Sequence, residues 1–273
     1  MISFLLCFLF HYCPVTASVH NQPVINQPQE VMLGGSGDPI FSGAGDGYVG
    51  YNTSLVWATT HDASVGLLAD YTSINTFSAA TESLTGNIFS IYRTFLPFDT
   101  SAIPAEAVIT SATLSIYPTS VSIIENDLGE NYLGVVQTTQ ANSTILSNTD
   151  YNECGATTTP TLGATMNLVD MTANAYNIFT LNSTGLTWIK KNGETSSCGT
   201  TAGVTCLGLR TGHDIDNVTP TQFGTQTIIS TLEDTSGNYP YLTITYYVPE
   251  PTGKLHIKSN TIQIKSGVLQ IKN

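Results

Sequence analysis

Hydrophobic and polar residues alternate along several short stretches of this chain. In 109–118, Ala112, Leu114 and Ile116 share one face and Ser111, Thr113 and Ser115 the other. That period of two marks a strand with one side in a core and one in water. Residues 240–248 repeat the pattern, with Leu242, Ile244 and Tyr246 opposed to Thr243 and Thr245. Residues 88–98 are apolar on both faces, which predicts a central strand covered on both sides. Further strands are expected near 46–51, 131–138, 165–170, 204–210 and 224–231, separated by Gly/Asn/Asp/Thr loops. One short helix is expected, capped by Asn182 or Ser183, with Leu186 and Ile189 inward, Lys190 and Lys191 in its last turn and Gly193 ending it. Strands this short and numerous predict an all-β fold, a jelly-roll β-sandwich.

The two ends break the pattern. Residues 2–10 are an apolar run too short to span a bilayer as a helix, and Val15-Thr16-Ala17 suits a cleavage site. Residues 1–17 therefore read as a signal peptide, although the n-region lacks Lys and Arg; the alternative is a buried N-terminal strand. Residues 18–37, rich in Gln, Asn, Pro and Gly, read as a linker to a body at 38–248. Residues 249–273 form a separate tail with a seven-residue period, 257–263 followed by 264–270 and then Ile271-Lys272-Asn273. β-Branched residues and the turn dipeptides Ser259-Asn260 and Ser266-Gly267 favour a β-meander or the first coils of a solenoid over a coiled coil. Such a tail offers a route to self-association, and a frayed end is its alternative.

Composition narrows the partners. Charged residues are only 10% of the chain, and 20 acidic residues against 8 basic ones give a net charge of −12. A nucleic-acid binder needs clustered Lys and Arg, so that class is excluded, and an anionic membrane surface is disfavoured for the same reason. No transmembrane span is expected. The sequence contains no Gly-x-Ser-x-Gly, His-Glu-x-x-His or Walker glycine loop, so no catalytic residue is assigned and the chain reads as not an enzyme. Glu125, Asp127 and Glu130 read as a solvated acidic loop rather than a glycosidase pair.

Several segments together carry a resemblance. They are Asp46-Gly47-Tyr48-Val49, the run from Tyr92-Arg93 through Phe98-Asp99-Thr100-Ser101-x-Ile103-Pro104, the alternating 109–114, Leu207-Gly208-Leu209-Arg210, and 239–246. Over roughly 44–247 the chain resembles the DNRLRE-type domains. That resemblance implies a jelly-roll, carbohydrate-binding-module-like unit of secreted and cell-surface proteins, some of which accompany polysaccharide-degrading enzymes.

Individual residues admit paired readings. Cys198 and Cys206 flank a Gly/Thr-rich turn and are the favoured disulfide, with pairing of Cys154 to either as the alternative; one thiol stays odd. Arg93 and Arg210, the only arginines, lie in apolar strands and need a carboxylate such as Asp99, or several carbonyls. Recognition of an acidic sugar is their second reading. Asp214 and Asp216 in the 212–217 loop, and Asp46 after Gly43-Ala44-Gly45, supply oxygens for a structural Ca²⁺, against the plainer reading of Asx turns in water. Tyr48, Tyr51, Trp57 and Tyr71 are the candidate carbohydrate platform, although Trp57 reads first as core, as does Trp188.

The expectation is a non-catalytic, secreted or surface-displayed module that binds polysaccharide or cell-surface glycan. A structural or adhesive building block is the alternative, and a polysaccharide lyase or hydrolase a less favoured third.

Overall fold

A computed structural model describes residues 39–82, 88–123, 130–220 and 224–249, with the backbone strands at 262–265 and 268–271. The leader and linker expected at 1–37, together with Glu125 and Asp127, lie outside the described residues. The fold is an all-β sandwich. Its strands are β1 (Ile40–Phe41), β2 (Gly47–Ser54), β3 (Leu68–Asp70), β4 (Asn75–Glu82), β5 (Phe89–Asp99), β6 (Val108–Ile116) and β7 (Pro118–Ile123). They continue as β8 (Tyr132–Gln137), β9 (Ala164–Asn167), β10 (Asn177–Thr180), β11 (Val204–Thr211), β12 (Thr225–Ser230) and β13 (Tyr241–Tyr247).

Four strands form a small antiparallel sheet in the order β1-β13-β6-β10. A larger one runs β7-β12-β4-β5-β11-β8-β9, with β2 also on β5 and β3 on β2. The two alternating stretches foreseen in the sequence are β6 and β13, paired through Leu242 and Leu114. Their inward residues meet Leu96 and Phe98 of β5, Leu133 and Val135 of β8, Phe179 of β10 and Leu207 and Leu209 of β11. This is the main core.

The expected central strand is β5, and its neighbours fork. Tyr92 lies between Gly50 of β2 and Ala79 of β4, whereas Thr94 lies between Tyr48 of β2 and Leu209 of β11. So β4 and β11 occupy one edge of β5 in succession and part near Arg93. Hydroxyls seal the gap. Thr94 Oγ1 donates to Phe77 O at 2.9 Å, and Ser78 Oγ donates to Leu209 O at 3.1 Å.

The larger sheet has a second covered face. Val49, Ile91, Phe95 and Val136 pack there under Trp57, Leu146, Tyr151 and Cys154. The cover includes α1 (Trp57–His61), a 3₁₀ turn at Asn148–Glu153 and α3 (Gly212–Asp216). The expected helix is shorter than the sequence suggested: α2 spans Ser183–Leu186 only. Asn182 caps it by accepting from Gly185 N, and Lys190 and Lys191 lie beyond it. In the tail, β14 (Ile262–Lys265) and β15 (Val268–Ile271) pair antiparallel, with Lys265 opposite Val268. No strand of the sandwich pairs with them among the described residues.

Candidate functional site

The strand period places Arg93 on the covered face of β5 with Ile91 and Phe95, and Arg210 on the same face of β11. Both side chains are at most 1% exposed. Asp214, at the start of α3, meets both. Arg93 donates through Nε to Oδ2 (2.9 Å) and through Nη2 to Oδ1 (2.7 Å). Arg210 donates through Nε to Oδ2 (2.6 Å) and through Nη2 to Oδ1 (3.0 Å). Burial alone would raise the Asp214 carboxyl, but the two guanidiniums outweigh it and hold the group well below the usual carboxylate range.

Two cations and one anion leave one positive charge, which backbone oxygens and one ring absorb. Arg93 donates to Tyr151 O (2.9 Å) and His61 O (3.1 Å), and its guanidinium lies 4.2 Å from the Tyr151 ring centroid. Arg210 donates to Ala156 O (2.6 Å) and Thr157 O (3.0 Å). The cluster pins α1, α3, the 3₁₀ turn and the 154–157 loop onto the larger sheet. It has no solvent face, so it does not read an acidic sugar.

The expected Arg93–Asp99 pair does not form: Asp99 is exposed and accepts from Ser101 N at 3.0 Å. The carboxylates considered for a structural Ca²⁺ are not brought together as one ligand set. Both Asp214 oxygens already accept from guanidiniums, and Asp216 accepts from Tyr132 Oη at 2.7 Å. Asp46 sits elsewhere, accepting from Ser42 Oγ (2.5 Å) and Leu232 N (3.0 Å). Among the described residues no three His, Cys, Asp or Glu side chains group to hold a metal.

Nor do the four expected aromatics make a platform. Tyr48 and Tyr51 are three apart on β2 and point to opposite faces. Tyr48 packs edge-on against Phe77 and Tyr92, while Tyr51 and Tyr71 lie against the covered core. Trp57 is buried, stacks on His61 and donates Nε1–H to Asn217 Oδ1 at 2.8 Å. Cys198 and Cys206 are bridged, with Cα atoms 6.1 Å apart, and Cys154 is a free, buried thiol.

A cavity opens near the end of β8, with a volume of about 530 Å³. Gln137, Thr139, Asn152, Thr161 and Thr184 supply amides and hydroxyls, and the largely buried Trp188 borders them. Gly155 and Ala156 complete the lining, in the loop that Arg210 holds by its carbonyls. Gly155 has φ +74°, a left-handed conformation that suits glycine. Trp188 belongs to the main core, as the sequence indicated, and a Cβ on Gly163 would lie 2.4 Å from its ring. None of the lining side chains is titratable. Sequence spacing could not have found these polar residues, because they come from the end of β8, the 3₁₀ turn, α2 and separate loops that only the sandwich brings together.

No protein-family profile matches the chain, and a search of curated proteins finds no significant match.

Proposed function

We propose that the protein is a non-catalytic, secreted or surface-displayed module that binds neutral carbohydrate in the cavity beside Trp188. The observation that carries this reading is the lining: uncharged amide and hydroxyl groups beside Trp188. Such groups suit a polyhydroxyl ligand, which needs both donors and acceptors. The lining side chains carry no carboxyl or imidazole, and the neighbouring Glu153 carboxylate accepts from Thr139. The resemblance to DNRLRE-type domains supports the same class. The leader-like 1–17 and the Cys198–Cys206 pair support export, where disulfides persist.

Calorimetric titration of the full chain with a panel of neutral oligosaccharides tests the reading. Asn152→Ala and Gln137→Ala should each weaken binding about tenfold, the cost of a lost hydrogen bond. Absence of binding to every sugar would sink the cavity reading, and release of shorter oligosaccharides would sink the non-catalytic one.

A second reading, a building block that self-associates, rests on the β14–β15 pair. A two-stranded sheet is marginal by itself, and among the described residues no further strand pairs with its edges, to which another copy could add. Sedimentation that does not change with protein concentration would remove it.

A further inference from the structure

The outward face of the small sheet carries a pattern that the cavity does not use. Register aligns Phe41 of β1, Tyr241 of β13, Ser115 of β6 and Ile178 of β10 in one row across the sheet. The next outward row is Thr243, Thr113 and Thr180, followed by Thr245 and Ser111. Inward neighbours Leu242, Leu114 and Phe179 are all buried, which fixes these rows as the outer side.

At the end nearest the first row, five rings form a continuous chain. Centroids lie 5.3 Å apart for Tyr117–Tyr176, 5.0 Å for Tyr176–Tyr241, 6.1 Å for Tyr241–Phe41 and 5.6 Å for Phe41–Tyr239. Every contact is edge-to-face, so each ring is braced by its neighbours. Tyr176, just before β10, donates its hydroxyl to Tyr239 O, just before β13, at 3.3 Å. Its ring therefore bridges β6, the strand between those two, whose outward Ser115 is buried there. Phe41 at 43% and Tyr176 at 37% are the exposed rings, and Ile178 at 54% extends the surface.

We propose that this face is a second binding surface, taking an extended neutral polysaccharide. Braced rings lose little entropy on binding, and the two exposed ones, Phe41 and Tyr176, each offer apolar ring surface to pyranose C–H groups. The threonine and serine rows beside them supply hydroxyls to the sugar's own. These rows contain no Asp, Glu, Lys or Arg, on a chain of net charge −12. The net negative charge of the whole chain repels an acidic polymer and a second copy alike, and it does not repel a neutral polymer. A protein partner would bury a contiguous apolar patch, yet below the rings this face is hydroxylic. The proposal shares its ligand class with the cavity and none of its residues.

Retention of the full chain on cellulose, chitin and xylan, with alginate as the acidic control, tests it. Wild type should be retained by at least one neutral polymer and not by alginate. Phe41→Ala/Tyr176→Ala should lower retention at least tenfold, and Ile178→Lys, a single change at an exposed position, should lower it too. Asn152→Ala, in the cavity, should leave polymer retention unchanged, and the face variants should leave oligosaccharide titration unchanged. Failure of titration with polymer retention intact would therefore remove the cavity alone. Wild-type retention by both folded face variants, or no retention of wild type on any neutral polymer, overturns the proposal. So does a concentration-dependent dimer of wild type that the face variants abolish, because a second copy then covers the rings.

Discussion

Arg93 and Arg210 donate their Nε hydrogens to the same oxygen of Asp214, at 2.9 and 2.6 Å. The strands that carry them are adjacent, β5 and β11, and the carboxylate arrives from the helix that β11 runs into. One acid thus fastens two strands, and through the arginines' carbonyl contacts it fastens the whole outer layer. The loop lining the cavity hangs on this cluster, since Arg210 holds Ala156 and Thr157.

Removing the acid leaves two buried cations uncompensated. Asp214→Asn should cost about 3–5 kcal/mol in urea unfolding, the range for breaking a buried ion pair from one side. Asp99→Asn, at the exposed position the sequence nominated, should cost under about 1 kcal/mol, as a turn contact does. Equal costs for the two would contradict the assignment of the cluster.

Much of the sandwich was legible because alternation survives wherever one face of a strand is wet. β6, β13, β5, β8, β11 and β12 all lie close to their expected places. β10 and β7 were not legible: four and six residues bounded by other strands and short loops leave too little pattern to count. α1 and α3 are single turns of five residues, below the length at which a 3.6-residue period shows. The need of Arg93 for a carboxylate was legible, but its identity was not. Asp99 is near in sequence, whereas Asp214 is brought close only by the pairing of β11 with β5. The aromatics of 48–71 failed as a platform because odd spacing on β2 splits them between two faces. The ring chain of the small sheet draws on four separate segments, and only register assembles it.

Asp46 gives the protein a pH dependence of opposite sign to that of Asp214. Burial pushes its carboxyl up to about 7, with Glu233 adding to the rise against the hydrogen bonds from Ser42 and Leu232. A carboxyl raised on folding favours the folded state most below its unfolded value of 3.8, and that stability is lost as pH rises through about 7. Melting temperature should therefore fall between pH 5 and pH 8, by the equivalent of roughly a few kcal/mol. Asp46→Asn keeps an acceptor for Ser42 and Leu232 without the charge, and it should flatten that slope. An unchanged slope in the variant would assign the effect to another group.

The three described cysteines should differ sharply in reactivity. Cys154 is fully buried, its Sγ lies 3.4 Å from Thr94 O, and burial pushes its thiol up to about 12 despite the nearby arginines. Iodoacetamide should leave it unlabelled in the native protein and modify it in urea. Reducing Cys198–Cys206 opens a loop with a sequence separation of 8 and should cost roughly 2–3 kcal/mol on the chain-entropy model. Native labelling of Cys154 at the rate of free cysteine would show that the outer layer opens locally.

Gly163 and Gly185 bring two backbone segments together beneath Trp188. A Cβ on Gly163 would sit 2.4 Å from the indole and 3.1 Å from the Gly185 Cα. The first distance is closer than any real contact, and the neighbour is a rigid ring packed in the main core rather than the free end of a chain. Gly163→Ala must therefore move either the indole or the 181–188 segment, which Asn182 anchors by donating to Leu162 O at 2.9 Å and through its N–H to Gly163 O at 2.8 Å. Overpacking of this kind costs about 1–3 kcal/mol. Because Trp188 also edges the cavity, the same change should shift tryptophan fluorescence and weaken oligosaccharide binding, while polymer retention through Phe41 and Tyr176 stays at the wild-type level. Wild-type stability and fluorescence in Gly163→Ala would mean that the indole is not packed against this glycine.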